Sequence, residues 1–582
     1  MKTNLISIAV LAAAALTITS GCRPESGNPE AGTPYEELVE SYLRAWTEFH
    51  PTEAVGLGLH EHLALTEDRG AGGLEEWIAL NEEVLDSISA RPGGLSVDLR
   101  IDLRLLESRV RSELRTWRDE APLRQSPAVY AEAIRNLLNI PHQPRGFTAE
   151  ELDAVAADRL EAVGKVTRDL RSQLETGDRQ EIAQAVQSLD RAREGLGELV
   201  QRFPGVDSLA SGVAGELAVA AAFLREEVEV RDAAGDTILG RDRYARELEL
   251  YYGMEITPEE VAERALAEMK AVRQIIMDVS AKYWDETYPH EPPPSDVGEL
   301  VSRVSADMEE NRPSSQQESL AAFTRFAREA EAFVAEKGIA SLPRDRTLEI
   351  ILTPESAGPL QRIGFVDSPP PFDPDPVTIL SLPTIPDTFP AREKEDFYRS
   401  FNNHFNKFII IHELFPGHYM QLKIASQNPR RIRSFFPYEP YIEGWATLVE
   451  TFALEAGWDD FNKLTYLAHL RKRLENANRA YTSVQVHCFG WDEGQVREFS
   501  EAEALLAPQF AESLWGRLLR GPMQMTSYFM GKEMFVDVLE GEKDRLGEDF
   551  DLKTFSDVIL KAGAVPLDLI PPLLAESRLG TL

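Results

Sequence analysis

The chain has 582 residues, with 61 Lys plus Arg against 97 Asp plus Glu and a formal net charge of −36. At 43% hydrophobic and 27% charged residues it has the composition of a globular protein, and its excess of acid excludes a nucleic-acid partner and disfavours bare anionic lipid. Two cysteines, Cys22 and Cys488, exclude a disulfide-built scaffold and a cysteine-rich zinc module, so a transition metal would be held by His, Asp and Glu.

In chain order the first element is a leader. Met1 and Lys2 precede a mostly apolar stretch from Leu5 to Ile18, which ends in Thr19-Ser20-Gly21-Cys22. A positive start, an apolar centre and small residues before a cysteine read as a bacterial lipoprotein signal, with residues 1–21 removed and Cys22 lipidated as the mature N-terminus. The apolar run is short for a membrane span, and no later run is expected to cross a bilayer. Residues 22–33, rich in Pro, Gly and Glu, read as a flexible tether. Arg23 after the cysteine points to the cell envelope, at the outer membrane or its periplasmic face where the host has two membranes. Membrane contact is expected only through the lipid anchor.

From Tyr35 the pattern is helical: Tyr35, Leu38, Val39, Tyr42, Leu43 and Trp46 recur at the spacing of one buried helix face. Thr148 with Glu151, and Thr257 with Pro258 and Glu260, read as capping boxes that open long amphipathic helices. No repeat indicates a solenoid, and no long linker after residue 33 separates domains. Residues 34–582 therefore read as one mainly α domain. The exception is a β-rich stretch, in which Leu348–Leu352 and Val377–Leu382 flank the Pro-dense Ser368–Pro376. Two short strands and a loop fit it, either as a surface hairpin or as an edge strand facing substrate just ahead of a catalytic helix.

The chemistry concentrates in Phe408-Ile409-Ile410-Ile411-His412-Glu413-Leu414-Phe415-Pro416-Gly417-His418. An apolar helix running into His-Glu buries polar groups at a cost unless they are paired or bind a metal. In the HExxH pattern two histidines four apart share a helix face, hold zinc, and leave the adjacent glutamate to polarise water. Here the second histidine is six positions on, which in an undistorted helix turns His418 away from His412. Pro416 and Gly417 between them predict a bulge or kink that brings the imidazoles together. Without it, the helix ends at Pro416 and the histidines are unrelated. Further on, Glu443 and Glu450 stand seven apart, nearly two turns, and share a face. One could complete a zinc site while the other hydrogen-bonds a ligand histidine; otherwise both are solvated acids.

The segments His412-Glu413-x-x-Pro416-Gly417-His418-x-x-Gln421 and Glu443-Gly444-Trp445-Ala446, with the end of the chain, resemble the DUF885 family of bacterial exported proteins, which is grouped by similarity with zincin-like (gluzincin) metallopeptidases. The resemblance implies a large helical zincin-like fold of two lobes with a deep channel. It implies zinc held by His412, His418 and Glu443, with Glu413 as general base and Glu450 bonded to a ligand histidine. Arg479 and His487 also match family positions, whereas Ser483, Gln485, Leu448, Tyr419 and Ser556 depart from the pattern. An oxyanion formed beside the metal needs a further donor, for which His487 or Tyr528 is suited. Arg479 or Lys532 could hold a peptide's terminal carboxylate, and the alternative for each is a core or ion-paired role. Cys488 reads as a small buried residue. The expected function is a lipid-anchored zinc peptidase acting on short peptides. Alternatives are a metal-dependent amidase or esterase on small envelope substrates, or a non-catalytic peptide-binding lipoprotein.

Overall fold

The computed structural model describes residues 33–67, 69–141, 144, 146–231, 238–353, 365–373, 377–386 and 388–578. The leader, Cys22 and most of the tether lie outside the described residues. The chain forms two compact units, one running to residue 237 and taking in residues 370–373, the other holding the rest.

In the first unit, α1 (Pro34–Phe49) opens on a capping box: Thr33 Oγ1 accepts the Glu36 amide and the Glu36 carboxylate accepts the Thr33 amide. Its buried face carries Tyr35, Val39, Tyr42, Leu43 and Trp46. Helices α2 (Ala71–Ser89) and α3 (Val97–Leu114) pack together around a polar knot centred on Glu113. That carboxylate accepts the indole N–H of Trp77 at 2.9 Å and of Trp117 at 3.0 Å, and lies 2.5 Å from Arg109 and 3.1 Å from His50.

Helices α4 (Pro127–Leu138), α5 (Ala149–Gln173), α6 (Arg179–Arg202) and α7 (Asp207–Glu226) surround one apolar cluster that includes Ile134, Leu160, Leu189 and Leu217. The Thr148–Glu151 capping box opens α5 as expected. Contrary to the expectation that no later run could span a bilayer, Pro204–Glu226 is long and apolar enough to do so by length and composition. Ala210, Val213, Leu217, Ala220 and Leu224 of this segment pack into the bundle core, and a third of its apolar window is buried. Two three-residue strands, β1 (Thr176–Asp178) and β2 (Glu229–Arg231), pair in parallel. They are too short to leave an alternating pattern in the sequence.

The second unit begins with α8 (Arg241–Tyr252) and α9 (Pro258–Thr287). Thr257 caps α9 through the Glu260 amide at 3.2 Å, but only half of the expected box forms, because Glu260 pairs with Arg264 at 3.1 Å. Helices α10 (Val297–Glu310) and α11 (Gln316–Lys337) lead to a sheet of β3 (Leu348–Leu352), β4 (Phe365–Asp367) and β5 (Thr378–Leu382) in the order β3-β5-β4. The hairpin reading is corrected here. β3 and β5 run parallel, Leu348 opposite Thr378, and β4 joins the far side of β5 antiparallel. A tight hairpin can join only antiparallel strands; parallel ones need a long crossover, and the stretch between residues 352 and 378 provides it. β5 is central, with Leu380 and Leu382 buried, and β3 is an edge strand among the described residues.

Next come α12 (Ala391–Ser400), α13 (Asn403–Glu413), α14 (His418–Ala425), α15 (Glu439–Glu455), α16 (Lys463–Phe489), α17 (Glu493–Glu503), α18 (Pro508–Arg520), α19 (Pro522–Leu546) and α20 (Leu552–Ala562). α16 packs along α9 and against α19, and α15 packs against α13 and α19. The crossing of α15 and α19 is made by two glycines. A Cβ on Gly444 would lie 2.5 Å from the Gly531 carbonyl carbon, and one on Gly531 would lie 2.2 Å from the Pro440 oxygen. Backbone rests on backbone there, so any larger residue forces the helices apart.

Candidate metal centre

Asn402 caps α13 by accepting the Phe405 amide at 3.0 Å, and Phe408, Ile410 and Ile411 are buried along the helix. The helix stops after Glu413 and a new one starts at His418, so the predicted distortion takes the form of a break. The Phe415–Pro416 peptide is cis. The Gly417 amide donates back to the Ile411 carbonyl at 3.1 Å, and the Trp445 indole N–H donates to the Pro416 carbonyl at 3.0 Å. A Cβ on Gly417 would sit 1.8 Å from the His412 oxygen, so only glycine lets the connection fold onto the end of its own helix. As a result His412 and His418 meet, with ring centroids 4.7 Å apart and planes at 88°.

Glu443, in the first turns of α15, completes a triad. Its Oε2 lies 3.8 Å from His412 Nε2 and 3.6 Å from His418 Nε2, and the three ligand atoms fall within 4.8 Å of one another. A tetrahedral ion with bonds of about 2.0–2.2 Å would hold its ligands roughly 3.3–3.6 Å apart. The same Glu443 oxygen is buried with no hydrogen-bond partner among the described residues. An orphaned carboxylate oxygen facing two imidazole nitrogens is the donor set that zinc takes.

Glu450, two turns further along α15 and 1% exposed, accepts His412 Nδ1–H at 2.7 Å and His469 Nδ1–H at 2.9 Å. The first bond fixes the tautomer of His412 and leaves its Nε2 lone pair for the triad. Burial alone would raise the Glu450 carboxyl pKa, but the two histidines outweigh it and lower it. Burial likewise pushes Glu443 up and His418 down, and their mutual pairing reverses both: Glu443 is lowered, and His418 is raised to about 9 with help from Glu413.

Glu413 ends α13 half-buried, close enough to act on both His418 and Tyr528. Tyr528 lies on α19 one turn before Gly531, the residue that Gly444 abuts. Burial, with the charges of Glu443 and Glu413, pushes its phenol up to about 12 against the opposing pull of Arg479 and Arg517, so it stays protonated and able to donate. The Arg479 guanidinium lies 5.3 Å from the centre of the Tyr528 ring.

Two residues proposed from sequence are committed elsewhere. His487 Nδ1 accepts the Leu239 amide at 3.2 Å, its Nε2–H donates to the Leu518 carbonyl at 3.1 Å, and its ring stacks on Tyr244, so it has no hydrogen left for an oxyanion. Lys532 donates to Glu533 at 2.7 Å and lies 3.7 Å from Glu268, which also holds Arg473 at 2.7 Å. Ser483 bonds Tyr244 at 2.9 Å and the Pro522 carbonyl at 3.0 Å. The Cys488 thiol is pushed up to about 12, chiefly by burial, and is a poor nucleophile. His469, Lys472 and Arg517 join the neighbourhood of the triad without having been singled out from sequence. Their only signal was position: His469 and Lys472 lie on the helix that carries Arg479, at spacings that share a face.

Comparison with known proteins agrees with this architecture. The family described as bacterial protein of unknown function (DUF885) matches residues 51–574. Two solved structures have the same fold. One is described as a candidate lipoprotein of unknown function from Shewanella oneidensis, with a TM-score of 0.77, 20% identity, and coverage of 94% of this chain and 100% of that one. The other is a candidate lipoprotein from Colwellia psychrerythraea, with a TM-score of 0.71, 17% identity, and coverage of 94% and 99%. A search of curated proteins gives no match.

Proposed function

The chain belongs to the DUF885 family, and we propose that this member is a zinc-dependent hydrolase of short peptides, tethered to the cell envelope through a lipid on Cys22. The observation that carries the reading is the meeting of His412, His418 and Glu443 across a helix break, with His412 oriented from behind by Glu450. The anchor rests on the Gly21-Cys22 leader and on the description of both structural relatives as lipoproteins.

Zinc bound to this triad supplies Lewis acidity toward a carbonyl oxygen and makes a water acidic near neutral pH. The other roles belong to side chains. Glu413, beside the triad but outside it, takes the proton from the attacking water and returns it to the leaving amine. Tyr528, still protonated, donates to the oxygen that gains charge. Glu450 and His469 hold His412 in orientation throughout.

Metal analysis and a peptide panel test the reading together. The purified protein should carry about one zinc per chain, lost in His412→Ala. Glu413→Gln should keep the metal and lose about 10²–10⁴ in rate. A protein without stoichiometric zinc, or a Glu413→Gln variant with full hydrolysis, would overturn it.

A further inference from the structure

Beside the triad the electrostatics of this acidic chain invert. Lys472, Glu475 and Arg479 recur along one face of α16. Lys472 Nζ lies 3.3 Å from Glu475, whose other oxygen pairs with Arg479; Arg479 also donates to Asn476 at 3.1 Å. Arg517 approaches from α18, where its charge acts on Arg479, Glu475 and Tyr528. Its side chain makes no ion pair or hydrogen bond with another described residue. Three cations thus gather around Glu475. Arg479 is 5% exposed, yet its Nε is buried without an acceptor. Burying cations without matching acceptors is costly, and the charges register it. Burial lowers Lys472 and Arg517, Arg479 lowers both further, and Glu475 is driven down to about 2 against its burial by the surrounding cations. The cluster adjoins the metal centre on two sides: Lys472 acts on Glu443, and Arg479 underlies Tyr528.

We propose that Lys472 and Arg517 form a subsite for the free C-terminal carboxylate of a short peptide whose scissile bond faces the His412–His418–Glu443 centre. Arg479, its outer nitrogens already engaged by Glu475 and Asn476, is a positioning residue that holds Glu475 and supports Tyr528. Arg517 brings the open guanidinium fork that matches a carboxylate, and Lys472 adds a point charge. This deepens the hydrolase reading, on which it rests, by naming the end of the substrate that is recognised. It also moves the anion-binding role away from Lys532, whose ammonium serves Glu533 and Glu268.

Calorimetric binding to the full, zinc-loaded Glu413→Gln protein, which keeps the metal and loses the rate, tests the subsite apart from turnover. Trialanine as the free acid should bind at least tenfold tighter than trialanine amide. Arg517→Gln should bring that ratio close to one, Lys472→Gln should reduce it several-fold, and Arg517→Lys should restore part of it. Equal binding of acid and amide while Lys472 and Arg517 are intact overturns the proposal without depending on any change to the subsite. Tight binding of an amide that carries a glutamate side chain, equal to the free acid, overturns the C-terminal assignment. Should no peptide be hydrolysed while the acid-over-amide preference holds and vanishes in Arg517→Gln, the hydrolase reading falls and the subsite stands.

Discussion

Glu113 in the first unit and Glu450 in the second are carboxylates of similar burial, 4% and 1% exposed. Glu113 is enclosed by Trp77, Trp117, Arg109 and His50, and the second nitrogen of His50 lies 2.9 Å from Glu53. The histidine faces a carboxylate on each side, so neither of its nitrogens is left for a further ligand. Glu450 also holds histidines, but through Nδ1 alone, and the free Nε2 of His412 turns toward Glu443 and His418. The same chemistry gives a structural clamp in one place and, in the other, a histidine held with one nitrogen turned toward the triad. What separates them is whether a donor atom is left over.

The comparison can be broken most severely at Glu113. Glu113→Ala should cost about 3–5 kcal/mol, because it strips the acceptor from the indole N–H groups of Trp77 and Trp117 and leaves His50 and Arg109 with Glu53 alone. Urea unfolding followed by tryptophan fluorescence reads the loss, and zinc content in the folded protein should not change. Glu450→Gln should do the reverse, weakening zinc about 10–100-fold in competition with a chelator at a smaller cost in stability. Equal zinc affinity in this variant would remove the distinction between the two carboxylates. Gly444→Ala should cost about 1–3 kcal/mol from overpacking at the α15–α19 crossing, and it should weaken zinc as well, because Glu443 moves with its neighbour. A thermal melt and a zinc titration separate these two effects.

The smallest expected effect is a pH window on the first unit. Burial raises the Glu113 carboxyl, but His50, Arg109 and Trp77 outweigh it and bring it from 4.5 to about 2. Its contribution to stability is therefore complete above about pH 4.5 and lost as the pH falls through about 2. His50 is shifted the other way: burial lowers it, Glu113 and Glu53 raise it more, and it ends above 6.5. Its contribution is present below that value and lost as the pH rises through the raised pKa. Denaturant midpoints for the first unit should peak between these limits, and Glu113→Gln should flatten the acid limb.

The triad was legible in the sequence because its members depart from their surroundings. His412 interrupts an apolar helix, Pro416 and Gly417 forbid its smooth continuation, and Glu443 and Glu450 keep a two-turn spacing. Each of those signals is local, within a few turns of chain. His469, Lys472 and Arg517 are ordinary residues on ordinary helices and gain meaning only from the packing of α16, α18 and α19 around the triad. His487 shows the opposite failure: its position matched a family pattern, but its ring is consumed by two backbone groups that the sequence does not reveal. The β-rich stretch was recognised by composition, whereas its parallel pairing depends on β4 inserting on the far side of β5, and a three-residue strand carries too little pattern to announce that.

The glycine crossing has a consequence for how this protein can change over time. Side chains in a core trade volume with one another, so helix spacings drift as cores are rebuilt by substitution. Where Gly444 meets Gly531 there is no side chain to trade, and the gap is set by the hard radii of main-chain atoms. Glu443 is the next residue to one contact point, and Tyr528 lies one turn from the other. The separation between the triad's carboxylate and the phenol on a second helix is therefore insulated from mutational drift elsewhere in the core. Relatives with most of their packing replaced can keep the same reach across that gap.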